Sequence, residues 1–340
     1  MLPVKCGAIL LFSGGVLYCA VGGPRVCPNN RACGKALRHP LCAGKEDAVL
    51  NAELVSSLLA EASRITLLVR DTVTSTNLLV KELGAKGAPE GTLMVASEQT
   101  QGRGRLGRRF ESPEHTGLYF TILLRPDLPV SKSLHITILA AVAAAEGIAA
   151  VTGLSPEIKW VNDLYLRDRK ICGILAESAF LPGTDRLAYT ALGIGINLEE
   201  PAGGFTGTAA GIAGALYPHG AAPEELPERL LAAIVNRLLG YFDELREYSS
   251  GEIEAKRGGC GAGTRRSDFP HGNAPSYMER YRASDYLFGK EVWLVPDITL
   301  PEAAQRVRAT AIDAEGRLLV TLPDGTTEAV SSGDVMIRLS

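Results

Sequence analysis

The chain has 340 residues, 46% of them hydrophobic and 21% charged, which excludes wholesale disorder and suggests two domains with room for a third piece. Its 35 Lys and Arg against 38 Asp and Glu leave a net charge of −3, so it is no chain-wide polyanion binder and any nucleic-acid role would need a local basic patch. No glycine period, sustained heptad or apolar run of about 18 residues is read, which excludes collagen-like, coiled-coil and multi-span membrane classes.

Residues 1–47 are rich in Gly, Pro and Cys, show neither helical nor strand periodicity, and read as an irregular extension with no helix-turn-helix. Five of the seven cysteines fall here (Cys6, Cys19, Cys27, Cys33, Cys42), but no pair has the tight spacing of a zinc site, and an odd total argues against an extracellular disulfide framework. The apolar stretch Ala8 to Ala20 loosely resembles a signal sequence. Tyr18 before Cys19 is too bulky for lipoprotein processing, and a cytoplasmic protein with no membrane partner is expected.

From Val49 the texture changes. Leu50 to Leu59 predicts a helix capped by Asn51, and Ile65 to Val69 a strand. Thr74 to Lys86 predicts a second helix with a polar start, and Leu93 to Ser97 and Leu118 to Leu124 two buried strands. Ser131 to Val151 is an Ala-rich helix. Glu157 to Glu177 reads as three strands with turns at Asn162-Asp163 and Arg167-Asp168-Arg169; another strand ends at Asn197, and a helix runs from about Pro223 to Tyr248. Residues 48–250 thus form one α/β domain. Residues 251–276 lose periodicity and read as a linker or disordered insertion. Residues 277–340 carry short strands at Val292 to Val295, Arg306 to Ile312, Leu318 to Leu322, Thr326 to Val330 and Val335 to Leu339, which predict a small all-β barrel.

Two segments carry chemistry. Gly102-Arg103-Gly104-Arg105-Leu106-Gly107-Arg108 follows a buried strand, and alternating Gly and Arg there suit a loop that closes on phosphate or carboxylate. It is neither a P-loop nor a Rossmann turn. Lys159-Trp160-Val161-Asn162-Asp163, followed by Arg169-Lys170 and Gly173-Ile174, places a polar turn beside a strand-opening lysine.

Together with Ser75-Thr76-Asn77, Gln99-Thr100 and Gly193-Ile194-Gly195-Ile196-Asn197, these segments resemble, in order and spacing, the biotin protein ligases. The likeness runs from about Leu50 to Tyr248 and resumes near Tyr277. It implies a mixed sheet with helices like that of class II aminoacyl-tRNA synthetases, followed by an SH3-like β-barrel. It implies activation of biotin with ATP and Mg2+ to biotinyl-5′-AMP, and transfer to a lysine of a biotin carboxyl carrier domain of biotin-dependent carboxylases. By motif, Ser75, Thr76, Asn77 and Gln99 would hold the biotin rings. Arg103, Gly104 and Arg105 would close over the carboxylate and the adenylate phosphate, and Lys170 would contact the activated carboxyl or phosphate. Arg105 and Lys170 are the expected catalytic pair. Asn162, Asp163 and Asn197 would lie on the nucleotide side, with Phe110 near adenine. No metal ligands are assigned.

The chain departs from the family pattern at Val161, where Pro is usual, and at Phe110, where Trp is usual. A lipoate–protein ligase is the nearest alternative, and the Gly102 to Arg108 loop with Lys159-Trp160 favours biotin. A biotin-responsive DNA-binding repressor would need a basic reading helix in the first 50 residues, and none is read there. A homodimer is left open. Residues 1–47 and 252–275 lie outside the motif-bearing segments and are expected to be dispensable for ligation.

Overall fold

The computed structural model describes residues 10–13, 16–19, 50–250, 275–295, 304–332 and 334–336. Most of the N-terminal stretch and residues 252–274 therefore lie outside the described residues. Within the former, where no periodicity was read, Leu10–Ser13 (β1) and Val16–Cys19 (β2) pair as an antiparallel hairpin.

The larger domain opens with α1 (Ala52–Leu58), and Asn51 caps it as expected: its side chain accepts from the Leu54 amide at 3.0 Å. Next come β3 (Thr66–Val73), α2 (Thr76–Ala85), β4 (Thr92–Gln99), β5 (Gly117–Leu124) and the long α3 (Ser133–Thr152). Then follow β6 (Glu157–Lys159), β7 (Asp163–Leu166), β8 (Arg169–Phe180), β9 (Leu187–Asn197) and α4 (Leu226–Ser249). The strands form one seven-stranded mixed sheet in the order β3-β4-β5-β9-β8-β7-β6, in which only β3 and β4 run parallel.

Side chains alternate across a strand, so the sheet has two distinct faces. Leu118, Phe120, Ile122 and Leu124 of β5 join Ile194 and Ile196 of β9 in the main core with α3 and α4. Leu123 and Ala191 face the other way and pack with Val80 of α2. Contrary to the sequence reading, α3 is by length and composition apolar enough to cross a membrane. It is mostly buried against sheet and helices, as a core helix is.

A helix not expected from the sequence, α5 (Ser276–Ala283), leads into the C-terminal strands β10 (Glu291–Val295), β11 (Gln305–Ile312), β12 (Leu318–Thr321), β13 (Thr327–Val330) and β14 (Asp334–Met336). They form a five-stranded antiparallel sheet in the order β13-β12-β11-β10-β14, the small β domain anticipated. Its hydrophobic side chains, among them Val292, Leu318 and Val320, belong to the same cluster as Ile136 and Leu139 of α3.

Polar contacts fix this union. The Trp160 indole donates to the Gly316 carbonyl at 3.0 Å, and the Tyr281 hydroxyl to the Val161 carbonyl at 3.2 Å. Arg282 donates to the carbonyls of Ile312 and Asp313 at 2.8 and 2.9 Å. Gly316 has a positive φ of 80°, which side-chain-bearing residues rarely adopt, and a Cβ there would press on the Ile138 side chain, so glycine suits that β11–β12 turn.

Candidate functional site

The register of β5, β9 and β8 lays two rows across one face of the sheet: Tyr119, Gly195 and Gly173, then Thr121, Gly193 and Leu175. Glycine at the centre of each row leaves a trough. The Phe110 ring settles into it over Gly195, where an added Cβ would meet the ring at 2.7 Å, and presents itself edge-on to Tyr119.

At the other end of the trough stands the start of α2. Asn77 donates to the Leu175 carbonyl at 3.1 Å and to the Glu177 carboxylate at 3.2 Å, while its oxygen faces the Thr121 hydroxyl at 2.7 Å. The Gln99 side-chain oxygen accepts from the Thr76 amide at 2.9 Å, and its amide nitrogen donates to Ser112 at 3.0 Å. These bonds fix which way each amide points. Ser75 occupies the N-cap position of α2 yet makes no capping bond; its hydroxyl is buried and has no hydrogen-bond partner. A buried orphan hydroxyl in a cavity wall is open to a hydrogen bond from a ligand or from water.

Over this floor runs the Gly102–Phe110 loop, closed on itself by the Phe110 amide to the Gly102 carbonyl at 3.0 Å and the Gly104 amide to the Arg108 carbonyl at 2.8 Å. Its tip, Leu106 and Gly107, has positive φ. Arg105 reaches from the loop to the Asn162 oxygen at 3.0 Å, and Lys170 lies 2.7 Å from Asp163. Asn162 in turn donates to the Ile174 carbonyl at 3.0 Å, so the turn after β6 is pinned to β8.

Floor and loop bound one open cleft. It brings together every expected site residue except one: Ser75, Thr76, Asn77, Gln99, Arg103, Gly104, Arg105, Phe110, Asn162, Asp163 and Lys170 all line it. Asn197 does not. Its amide donates to the Gly214 carbonyl at 2.8 Å and holds the segment after β9 instead. Five cations line the cleft (Arg103, Arg105, Arg108, Arg109 and Lys170), and Asp163 is the one carboxylate among the described lining residues. Such a site favours an anion and can offset the repulsion between two of them.

The sequence reading missed Thr121, Ser112 and Glu177. Thr121 is fully buried in an otherwise apolar strand, and a polar residue in such a run was the available signal. Glu177 likewise interrupts β8. Burial alone would raise its carboxyl, but hydrogen bonds from Lys81 and Asn77 and the charges of Lys81 and Arg103 hold it below the usual carboxylate range.

Comparison with known proteins agrees with this geometry. Residues 68–197 match the family described as "Biotin/lipoate A/B protein ligase family", and residues 298–338 match "Biotin protein ligase C terminal domain". The chain belongs to the biotin protein ligase family. Among similar ligases, "Bifunctional ligase/repressor BirA" of Bacillus subtilis is 35% identical over 205 residues, 60% of this chain and 61% of that protein. The Bacillus spizizenii protein of the same name is 38% identical over 47% of this chain and 49% of its own length. The chain thus spans about half to three fifths of these two relatives. The "Biotin--[acetyl-CoA-carboxylase] ligase" of Mycobacterium tuberculosis is 28% identical over 77% of this chain and 85% of that protein. In fold, the structure of the biotin protein ligase from Aquifex aeolicus in complex with biotin and ATP superposes with a TM-score of 0.57 at 24% identity, covering 81% of this chain and 99% of that one. At the two departures from the ligase pattern, Phe110 fills the glycine trough and Val161 follows Trp160 in a cis peptide.

Proposed function

We propose that the chain activates biotin with ATP and transfers it to a lysine of a biotin carboxyl carrier domain, in the cytoplasm. One observation carries this reading: in a single cleft, a neutral hydrogen-bonding floor abuts a cationic rim. The floor, with the Ser75 hydroxyl and the oriented amides of Asn77 and Gln99, suits a flat, uncharged, polar ring system. The rim suits the carboxylate at the far end of the same molecule and the phosphate it attacks.

In the first step a biotin carboxylate oxygen attacks the α-phosphorus of ATP, and pyrophosphate leaves. Both reactants are anionic. Arg105 and Lys170, braced by Asn162 and Asp163, supply preorganised positive charge where negative charge gathers. In the second step the amine of the carrier lysine attacks the acyl carbon, and AMP leaves with the electron pair. Arg103 and Gly104 lie over the anhydride in the meantime and exclude water. Asn162 and Asp163 face the nucleotide, with Phe110 beside its base. Mg2+ would come bound to the phosphates of ATP and neutralise their charge. Asp163, the one carboxylate among the described lining residues of the cleft, would be the side chain to help hold it.

Biotin-dependent exchange of pyrophosphate into ATP tests the first step, with lipoate as control, and a streptavidin-reactive carrier domain tests the second. Exchange with biotin far exceeding that with lipoate is the expected result. Equal or better use of lipoate overturns the assignment.

A further inference from the structure

One carboxylate in the structure joins the floor of the cleft to its loop. Glu177 projects from the middle of β8, and its side chain is only 16% exposed. One oxygen accepts from the Asn77 amide at 3.2 Å. The other accepts from Lys81 at 2.8 Å and lies 3.5 Å from the Arg103 guanidinium. Asn77 and Lys81 are four residues apart on α2, so they share a helix face and meet the same carboxylate. Arg103 belongs to the loop. We infer that Glu177 is a positioning residue that orients Asn77 and tethers the Gly102–Phe110 loop through Arg103, with Lys81 setting the strength of that tether.

Distance ranks the two cations. Attraction falls as separation grows, so the closer Lys81 neutralises most of the Glu177 charge and Arg103 is held more weakly. Arg103 is 46% exposed, and ion pairs of that kind are worth little. Arg103 can therefore leave Glu177 for a better anion inside the cleft at small cost. A stronger tether would hold the loop back from the ligand, and none at all would leave it unordered before the ligand came. Lys81 keeps the balance between them. The identity of the arriving anion rests on the ligase reading above; the tether does not.

The test uses three full-length variants and trypsin, which cuts after arginine, with loop cuts mapped by mass spectrometry in ligand-free protein. Glu177→Gln removes the charge facing Arg103 but keeps an oxygen for Asn77. Loop cleavage should quicken about threefold, the size expected for a partly exposed ion pair, while KM for biotin should rise less than in Glu177→Ala. Glu177→Ala removes both contacts, so cleavage should quicken and KM for biotin should rise about tenfold, as for a lost charge-assisted hydrogen bond. Lys81→Met leaves Arg103 as the remaining cation on Glu177, and cleavage should slow. Lys81 is one-third exposed, so this arm stands even if the Glu177→Ala protein folds poorly. Wild-type cleavage in both Glu177 variants, or faster cleavage in Lys81→Met, overturns the tether. Equal KM values for Gln and Ala overturn the orienting role. If the wild-type chain activates no biotin, the ligase reading falls, and the cleavage arms still decide the tether.

Discussion

Arg105 and Lys170 reach the same turn, one bonded to Asn162 and the other paired with Asp163. Neither could be placed so firmly alone, since a long cationic side chain gives up rotamer freedom when it is held. Removing either should lower kcat/KM for biotin activation about a hundredfold, the scale of losing one preorganised donor at developing charge. Arg105→Ala should also leak biotinyl-5′-AMP faster, because its guanidinium joins the loop to the Asn162 turn. Adenylate retained as well as in wild type would remove Arg105 from that role. Both residues were singled out in the sequence, Arg105 by the alternation of glycine and arginine after a buried strand and Lys170 as a lysine opening an apolar strand, and the fold brings both to one turn. Their partners across the cleft were less legible. Glu177 and Thr121 meet Asn77 only through the pairing of β5, β9 and β8, and register across distant strands cannot be read from local pattern.

At the scale of elements, the long segments were predictable: the strands of the large sheet, α3 and α4. The apolar positions of α4 repeat over many residues, whereas α3 is apolar on nearly every side and was legible by its alanine content. α5 was not. It has eight residues, follows a polar Gly-rich stretch, and buries tyrosines, Tyr277 and Tyr281, that do not stand out as a hydrophobic face. Asn197 was associated with the cleft by motif, yet it ends β9 bonded to Gly214, a partner that only the folded chain supplies. The turn carrying Asn162 and Asp163 also depends on an element far away in sequence. Trp160 hangs from Gly316 in the C-terminal sheet, and the neighbouring Val161 carbonyl accepts from Tyr281 on α5. Trp160→Phe keeps the aromatic bulk but leaves the Gly316 carbonyl unpaired, which should cost about 1–3 kcal/mol of stability. Because the slackened turn is the one proposed to face the nucleotide, KM for ATP should rise more than KM for biotin. An equal rise in both would reduce Trp160 to a packing role.

At the scale of the whole molecule, one buried histidine stands where α3, packed against the large sheet, meets α5. His135 lies on α3 with no exposed surface, its Nδ1 2.8 Å from the Tyr277 hydroxyl of α5 and its Nε2 without a hydrogen-bond partner. Burial, aided by the charge of Lys132, pushes its pKa down to about 4, against the opposing pull of Glu315 and Asp313 in the C-terminal sheet's β11–β12 turn. The sign of the resulting pH dependence follows from proton counting. In the unfolded chain an ordinary histidine takes a proton near pH 6.5, whereas the folded one stays neutral until about 4. Between those values the unfolded state binds more protons, so stability is full above about 6.5 and falls as pH drops toward 4. At pH 5 the loss amounts to about 2 kcal/mol from this one group. Across the domain junction His135 touches Tyr277 of α5, and Lys132 beside it pairs with Glu315 at 3.0 Å, so protonation strikes the docking of the C-terminal sheet. His135→Gln, which offers a hydrogen-bonding side chain that does not titrate, should therefore lose about 2 kcal/mol less than wild type when denaturant unfolding is compared at pH 7 and pH 5. Identical losses in the two proteins would show that His135 takes up its proton as readily folded as unfolded, and that acid acts on the junction through other groups.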